Sequence, residues 1–229
     1  MPGWSSPEVP FADRADAGRA LGELVRALPN LVRPVVVALP RGGVPVGAEV
    51  ARRIGAPLLV MPVGKVGAPG REELAVGAVA PGGVRVLNHD VVAALGLDDD
   101  QIEALASKAA LKVAHQMQSF GVTPQPSLLG RSVVVVDDGL ATGATMWAAL
   151  MAVREQRPER VVLAVPVAPP EVLAALKALV DDEICPVQPP RMQAVGAWYK
   201  DFSQTTDEDV AELLKALGPH RSPRSGAAP

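Results

Sequence analysis

Four consecutive valines, Val133 to Val136, constrain the fold of this chain more than any other feature. A strand with a β-branched residue at every position presents apolar side chains on both faces, so other elements have to cover it on both sides. Such strands are typical of the interior of parallel sheets in α/β proteins. Asp137 and Asp138 follow the last valine. They are therefore expected at the carboxyl end of a central strand, where open α/β sheets bind their ligands.

The seven residues after the two acids predict an anion-binding turn. They read Gly-Leu-Ala-Thr-Gly-Ala-Thr and lead into a helix predicted over 145–156. The first backbone N–H groups of a helix have no partner within the helix, and the helix dipole adds positive potential there, so a phosphate monoester fits this turn. The residues expected to line the phosphate site are Gly139, Ala141, Thr142, Gly143, Ala144 and Thr145.

The order of acids and glycines favours a sugar phosphate as the ligand. Two adjacent carboxylates repel a polyphosphate but accept hydrogen bonds from a vicinal diol, so we expect Asp137 and Asp138 to hold ribose hydroxyls. A Walker A loop requires Lys before Ser or Thr, and the dinucleotide fingerprint places its glycines about 20 residues before the acid. The remaining alternative is an ordinary connection rich in small residues, which would leave two buried acids without a partner at a cost in free energy.

The rest of the chain alternates between short strands and helices. Glycines and prolines in 65–88 predict a loop and a hairpin around Pro81-Gly82-Gly83. The alternation implies right-handed crossovers and a mainly parallel central sheet flanked by helices, so the fold class is α/β. The predicted strands cover residues 35–39, 58–63, 133–136, 161–165 and 184–187, and the predicted helices cover 13–28, 44–54, 98–120, 145–156, 170–180 and 206–217.

Net charge, cysteine content and the lengths of apolar runs limit which binding partners and which cellular compartment we expect. A net charge of -3 provides no basic footprint for nucleic acid, so we expect none as a partner. The single cysteine, Cys185, forms no intrachain disulfide and is expected to be a small buried hydrophobe. The N-terminus lacks the basic start and apolar run of a signal peptide, and the apolar runs are too short for a membrane span, so we expect a cytoplasmic location.

A second glycine loop follows the first predicted strand. It reads Leu39-Pro40-Arg41-Gly42-Gly43. The two glycines allow backbone amides to approach a ligand closely, and Arg41 can hold phosphate oxygens, so pyrophosphate suits this loop. The alternative is a plain turn with a surface arginine.

Six segments between about Phe11 and Leu217 carry a family resemblance. They read FADRADAGRALGELV, ALPRGGVPVGAEVA, KVGAPGREELAVGAVAPGG, VVVVDDGLATGATM, LAVPVAPPE and VGAWYKDFSQTTDEDV. The hydrophobic run, the two acids and G-x-A-T-G-A-T are similar to the phosphoribosyl pyrophosphate motif of type I phosphoribosyltransferases. Together the segments resemble a bacterial branch of that family which is sometimes joined to an α/β-hydrolase-like domain.

The resemblance implies how the chain is divided. Residues 1–217 would form one phosphoribosyltransferase-like domain, with a small hood over the site from about 185–217. Residues 218–229 are rich in small, polar and proline residues, so we expect a disordered tail or the remnant of a linker. The family's pyrophosphate loop, which the Arg41 loop resembles, often contains a cis peptide bond before a residue other than proline.

Lys65 occupies the position of a basic loop that closes over the pyrophosphate in the family, and its alternative is a solvated loop lysine. The chain departs from the family pattern around this loop. Gly64 stands where Arg is usual before Lys65, and Arg71 and Glu72 stand where Asn and Pro are expected, whereas Glu73 keeps the final acid. These departures predict that the closure of the loop differs.

Three aromatic residues, Trp198, Tyr199 and Phe202, fall within five positions of a chain that is 3% aromatic. Aromatic rings stack on bases, and the family's hood often binds the acceptor, so these residues are candidates for the acceptor pocket. The alternative is that they pack the hood onto the sheet.

The activity implied by the resemblance is transfer of phosphoribosyl from phosphoribosyl pyrophosphate to an unidentified nitrogenous acceptor, with release of pyrophosphate. Asp137, Asp138, Arg41 and Lys65 are the predicted catalytic residues. Mg²⁺ is the implied cofactor, with Asp138 contacting it through water. Because dimers are common in the family, the resemblance also allows a homodimer. The alternatives are a non-catalytic sensor that binds phosphoribosyl pyrophosphate or nucleotides, and a phosphate ester hydrolase.

Overall fold

A computed structural model describes residues 9–121 and 127–217, so the predicted tail at 218–229 and the side chains of Glu72 and Glu73 lie outside its described part. The strands are β1 (Val35–Ala38), β2 (Leu58–Val60), β3 (Gly64–Ala68), β4 (Arg71–Ala80), β5 (Val84–Leu87), β6 (Ser132–Val136), β7 (Arg160–Ala164) and β8 (Asp182–Ile184). The helices are α1 (Arg14–Arg26), α2 (Gly43–Ile54), α3 (His89–Leu95), α4 (Asp99–Ser119), α5 (Ala144–Glu155), α6 (Pro170–Leu176) and α7 (Asp207–Leu217).

The centre of the fold is a five-stranded parallel sheet in the order β2-β1-β6-β7-β8. Every residue of β1 and β6 is buried, as the valine run predicts. Alternate valines of β6 point to opposite faces. Val133 and Val135 pack in the cluster formed by α5 and α6, whereas Val134 and Val136 pack in the cluster formed by α1 and α2. The predicted α/β class, with helices on both faces of a parallel sheet, is confirmed.

A separate three-stranded antiparallel sheet is formed by β3, β4 and β5. The predicted hairpin is confirmed, since Pro81–Gly83 form the turn between β4 and β5. The prediction of a loop before it is wrong, because residues 64–68 pair with β4 and Pro69-Gly70 form a second turn. Gly and Pro therefore mark the two turns of a small sheet, and α4 covers one of its faces with Ala106 and Ala109.

Two strands end earlier than the sequence predicts, in both cases beside a proline. β2 ends at Val60, and Pro62 has no N–H to continue a ladder. β8 ends at Ile184, and Pro186 interrupts the pairing before Val187 forms an isolated bridge with Val167. Three predicted helix starts are confirmed by their caps at Asp13, Asp98 and Thr206.

The residues predicted as a hood occupy two places. Residues 195–199 lie against the start of α1, where Tyr199 forms a bridge with Phe11 and packs with Ala17. Helix α7 lies elsewhere and packs Val210 against Val44 of α2 and Phe120 at the end of α4. Of the described helices, none is both long enough and apolar enough to cross a membrane.

Candidate active site

The two acids lie directly after β6, at the carboxyl edge of the central sheet. Asp137 and Asp138 are half-buried, and the backbone N–H of Asp138 donates to Asp137 Oδ1 over 2.8 Å. Burial, and then the negative charge of Asp138, raise the pKa of Asp137 well above its usual value. Burial also raises the pKa of Asp138, although the hydrogen bond from Arg14 acts in the opposite direction. Two carboxyls are thus held where their ionisation is costly, which is typical of functional sites.

The Arg41 loop leaves β1, the neighbour of β6, and therefore meets the acids at the same sheet edge. A Cβ on Gly42 would lie 2.0 Å from Asp138 Oδ2, and one on Gly43 would lie 2.9 Å from the Cα of Asp137. Both positions therefore require glycine for close approach. The Pro40-Arg41 peptide bond is cis, as the family resemblance implies. The side chain of Arg41 is exposed, and its Nη1 lies 3.4 Å from Asp207 Oδ1.

The loop after the acids turns into α5 in the predicted way. Leu140 is buried, and its N–H donates to the carbonyl of Val167, which anchors the loop to the segment after β7. Gly143 has φ 74° and precedes α5 as its N-cap. The first helical hydrogen bond runs from the N–H of Trp147 to the carbonyl of Gly143, so the earlier N–H groups of α5 point out of the helix end.

The residues of this loop divide by their exposure. Gly139 and Gly143 are buried, whereas Ala141, Thr142 and Thr145 are exposed and Ala144 is half-buried. A phosphate at the helix start can therefore reach the threonine hydroxyls and the helix N–H groups, while the glycines let the chain pack closely beneath them. The structure thus brings together the acids, the Arg41 loop and the predicted phosphate loop.

Lys65 lies in strand β3, opposite Ala78 of β4, rather than in a loop. The small sheet reaches the outer side of the phosphate loop, because Leu74 and Asn88 line a cavity of 250 Å³ together with Thr142 and Trp147. Asn88 also caps α3. Lys65 therefore belongs to the small sheet, whose strand β4 borders the phosphate loop.

The aromatic segment, residues 198–203, lies beside the acids. Tyr199 is buried, its hydroxyl donates to the backbone carbonyl of Asp138 over 2.5 Å, and its ring lies 5.7 Å from that of Phe11. For Tyr199 these contacts favour the packing alternative. Phe202, whose ring centroid is 5.1 Å from that of Tyr199, is exposed, and the half-buried Trp198 packs in the same cluster. These two residues remain candidates for the acceptor.

Sequence reasoning missed Arg14, the first residue of α1. Its Nε donates to Asp138 Oδ2 over 2.8 Å, and both side chains are largely buried, with 12% and 14% exposure. The predicted helix start at Asp13 places Arg14 on the first helical turn, but no sequence pattern indicates that α1 begins beside the acids. Only packing of α1 against α2 and the aromatic segment brings the guanidinium there.

Comparisons with known proteins agree with this geometry. The model of the phosphoribosyl transferase domain matches residues 13–184. Two Mycobacterium tuberculosis proteins, from strains CDC 1551 / Oshkosh and ATCC 25618 / H37Rv, are each named "Putative phosphoribosyl transferase" and are 43% identical over 206 residues. The matches cover 89% of this chain and 46% of each relative, so the chain spans about half the length of these curated relatives.

A solved structure extends the similarity to the whole fold. The crystal structure of TT1426 from Thermus thermophilus superimposes with a TM-score of 0.83 at 45% sequence identity, and the match covers 89% of this chain and 97% of that chain. The resemblance inferred from the motifs is confirmed by the family match over residues 13–184. The chain therefore belongs to the phosphoribosyl transferase domain family.

Proposed function

We propose that this domain binds phosphoribosyl pyrophosphate, the donor, and transfers its phosphoribosyl group to a nitrogenous acceptor with release of pyrophosphate. The observation that carries the proposal is the meeting of two glycine loops at one pair of acids. Gly42 and Gly43 approach Asp137 and Asp138 so closely that no Cβ fits, and the phosphate loop follows those same acids. A ligand seated there would touch an acid pair and two sets of backbone amides at once.

The acids and the phosphate loop suit the ribose 5-phosphate part of the donor. Asp137 and Asp138 accept hydrogen bonds from the two ribose hydroxyls, which offsets the cost of holding two part-buried carboxylates side by side. The N-terminus of α5 and the hydroxyls of Thr142 and Thr145 hold the 5-phosphate. One strand end thus binds both the sugar and its phosphate.

The Arg41 loop suits the pyrophosphate part. Its backbone lies against the acids, and Arg41 is exposed, so the guanidinium can turn toward phosphate oxygens. Its contact with Asp207 is long and solvent-exposed, and such pairs contribute about 0 to 1 kcal/mol, so giving it up costs little. Lys65 at the start of the small sheet would supply a second positive charge to the same group.

In the proposed reaction the acceptor nitrogen forms a bond to the anomeric carbon as the bond from that carbon to the pyrophosphate oxygen breaks. Pyrophosphate leaves with the electron pair, and the acceptor nitrogen loses a proton if it carries one. The anomeric carbon develops positive charge in the transition state, and Asp137 and Asp138 lie on the sugar side to stabilise it. Arg41 and Lys65 stabilise the negative charge of the departing group, so catalysis consists mainly of positioning and electrostatics.

Mg²⁺ fits this site as an ion held mostly by the donor. Within residues 9–121 and 127–217, no cluster of three or more His, Cys, Asp or Glu side chains could hold a metal ion. Mg²⁺ commonly binds through one or two carboxylates, substrate phosphates and waters, and the acid pair matches that limited protein contribution, with Asp138 acting through water. When bound, the ion would neutralise charge on the pyrophosphate.

The test is pyrophosphate release by the full chain incubated with Mg²⁺, phosphoribosyl pyrophosphate and a panel of nitrogenous bases. We expect release with at least one base, and loss of release in Asp138→Asn. The matched control is Asp100→Asn, which removes an exposed carboxylate in the first turn of α4. Equal release by wild type and Asp138→Asn would contradict the proposed site.

A non-catalytic sensor is the second candidate function, and Gly64 favours it because the family usually has Arg before Lys65. Tight donor binding, without pyrophosphate release for any base, would support the sensor over the transferase. Loss of phosphate from the donor without any acceptor would support the hydrolase. A homodimer and a cytoplasmic location stay predictions.

A further inference from the structure

Arg14 contacts three parts of the candidate site with one guanidinium group. Nε donates to Asp138 Oδ2 over 2.8 Å, and Nη1 donates to the backbone carbonyl of Ser203 over 2.7 Å. The guanidinium carbon also lies 3.9 Å from the ring centroid of Phe202. A Cβ on Gly42 would come within 3.2 Å of Nε, so the group borders the Arg41 loop as well. The acids, that loop and the aromatic segment therefore meet at Arg14.

The shape of the guanidinium suits this arrangement. Its planar fork donates in two directions while its face stacks on an aromatic ring, which the compact ammonium of lysine does not reproduce. The backbone position of Arg14 is also fixed, because Asp13 caps α1 and Arg14 is the first helical residue. Residues 11 and 12 pair with the aromatic segment through the N–H groups of Lys200 and Asp201. The start of α1 and the aromatic segment thus form one packed unit.

We propose that Arg14 is a positioning residue that fastens the aromatic segment, where Trp198 and Phe202 are candidates for acceptor contact, onto the donor-binding acid Asp138. The proposal rests on the proposed function in that it takes Asp138 as a donor contact. It predicts that the two sides of the reaction are coupled, because a donor that seats on Asp138 also fixes Arg14 and hence the aromatic segment.

The positive charge of Arg14 also supports a role in positioning. The donor carries several negative charges and would meet two adjacent carboxylates, so an unbalanced acid pair would repel it. The guanidinium of Arg14 offsets one of these carboxylates at 2.8 Å in a largely buried position, where such a pair is screened less than at the surface. Removing its charge should therefore weaken donor binding as well as loosen the aromatic segment.

The test compares Arg14→Gln and Arg14→Lys with wild type in two measurements, amide hydrogen exchange without ligand and donor affinity with Mg²⁺. In Arg14→Gln we expect exchange at Lys200 and Asp201 to accelerate and donor affinity to fall, each by about tenfold, since a hydrogen bond to a charged group is lost. Arg14→Lys keeps the charge, so donor affinity should recover to within about threefold while exchange stays fast. A role in packing alone predicts that donor affinity in Arg14→Lys stays as low as in Arg14→Gln while exchange stays fast.

Two further variants keep the test decisive. Arg19→Gln removes an exposed arginine of the same helix and should change neither measurement. Phe202→Leu removes the ring beside the guanidinium but keeps the pair with Asp138, so exchange should accelerate while donor affinity falls less than in Arg14→Gln. In saturating donor, wild type should gain protection at Lys200 and Asp201, and Arg14→Gln should not.

Unchanged exchange at Lys200 and Asp201 in both Arg14→Gln and Phe202→Leu would overturn the proposal. Failure of the proposed function appears differently, as a wild-type protein that does not bind the donor at all. In that case the exchange measured without ligand still decides whether Arg14 fastens the segment, because it requires no donor.

Discussion

The two glycine loops at the site occupy equivalent places but use glycine for different physical reasons. They follow the neighbouring strands β1 and β6, and each leads into a helix on the sheet. Gly42 has φ -60° and ψ -33°, which any residue adopts, yet it has no space for a Cβ beside Asp138. Gly143 has φ 74°, a left-handed conformation that other residues adopt only at a cost.

We call the Arg41 loop the crowded loop, because no Cβ fits at Gly42. We call the phosphate loop the bent loop, because Gly143 has a left-handed conformation. Substitution in the crowded loop displaces an acid directly, so the damage falls on donor binding. Substitution in the bent loop strains the backbone before α5, so the damage falls first on folding. A Cβ on Gly143 would also come within 2.7 Å of Val172 Cγ1, but that contact involves an apolar side chain and not a ligand-binding group.

The largest expected effect is that of Gly42→Ala. The added Cβ would lie 2.0 Å from Asp138 Oδ2, so the carboxylate or the loop has to move by more than an ångström. Misplacement of that size costs about 100-fold in function, and overpacking costs about 1 to 3 kcal/mol of stability. Donor affinity by calorimetry and denaturant unfolding measure the two effects.

Gly55→Ala is the matched control for that variant. Gly55 has φ 64° and open space around the Cβ position, so it should lose stability without losing donor affinity. Normal donor affinity in Gly42→Ala would contradict the view that the crowded loop has no space for a Cβ beside a donor-binding acid.

Asp138→Asn tests the acid that the crowded loop contacts. The change keeps the size of the side chain but removes the charge that pairs with Arg14. In the proposed function the same charge accepts hydrogen bonds from the ribose diol. We expect donor affinity to fall about 10-fold to 100-fold, from the loss of about 1.5 to 3 kcal/mol for hydrogen bonds to a charged group. The fold should persist by circular dichroism, and affinity within twofold of wild type would exclude this acid as a donor contact.

Gly143→Ala tests the bent loop. A residue with a Cβ at φ 74° costs roughly 1 to 2 kcal/mol, so the free energy of unfolding should fall by that amount. Donor affinity should fall less than in Gly42→Ala, since no acid is displaced. If Gly143→Ala abolishes donor binding while stability is unchanged, the two loops do not differ in the way described.

Asp137→Asn should stabilise the protein in the absence of ligand and metal. The raised pKa of Asp137 means that the folded state binds this proton more tightly than the unfolded chain does. The penalty of the charged carboxylate is therefore complete above the folded pKa and disappears as the pH falls through that pKa toward the unfolded value.

The amide oxygen of Asn can still accept from the backbone N–H of residue 138. We therefore expect a gain of about 1 kcal/mol at neutral pH, typical of a single stabilising change, that shrinks in acid. Urea unfolding at several pH values measures it, and a gain that does not vary with pH would contradict the assigned cause.

Among these variants, Thr145→Ala should have the smallest effect on stability. Its hydroxyl is exposed at the first turn of α5, so stability should change by less than about 0.5 kcal/mol. Loss of one hydrogen bond to the 5-phosphate should weaken donor affinity by roughly 5-fold to 30-fold. Ser107→Ala, which removes an exposed hydroxyl of α4, is the control. Equal donor affinity in both variants would remove Thr145 from the phosphate site.

Local patterns predicted the central sheet well because burial on both faces leaves few alternatives for a run such as Val133–Val136. Caps at Asp13 and Asp98 were likewise predictable, since they depend on neighbours three positions away. The small sheet was only half predicted, because glycine and proline in 65–88 mark turns without indicating whether the residues between them pair. Pairing across β3 and β4 depends on a cover of apolar residues from α4, far along the chain.

The sequence by itself predicted which residues would bind the donor, because two acids after a buried strand and glycines before a helix leave few other uses. It also determined that the sheet is parallel, from the alternation of strands and helices. The tertiary structure alone decided that Gly42 touches Asp138, that Arg14 pairs with that acid, and that Tyr199 is buried. These contacts join residues 61 to 124 positions apart. Contacts at such separations are fixed only when the whole core packs, so no local pattern encodes them.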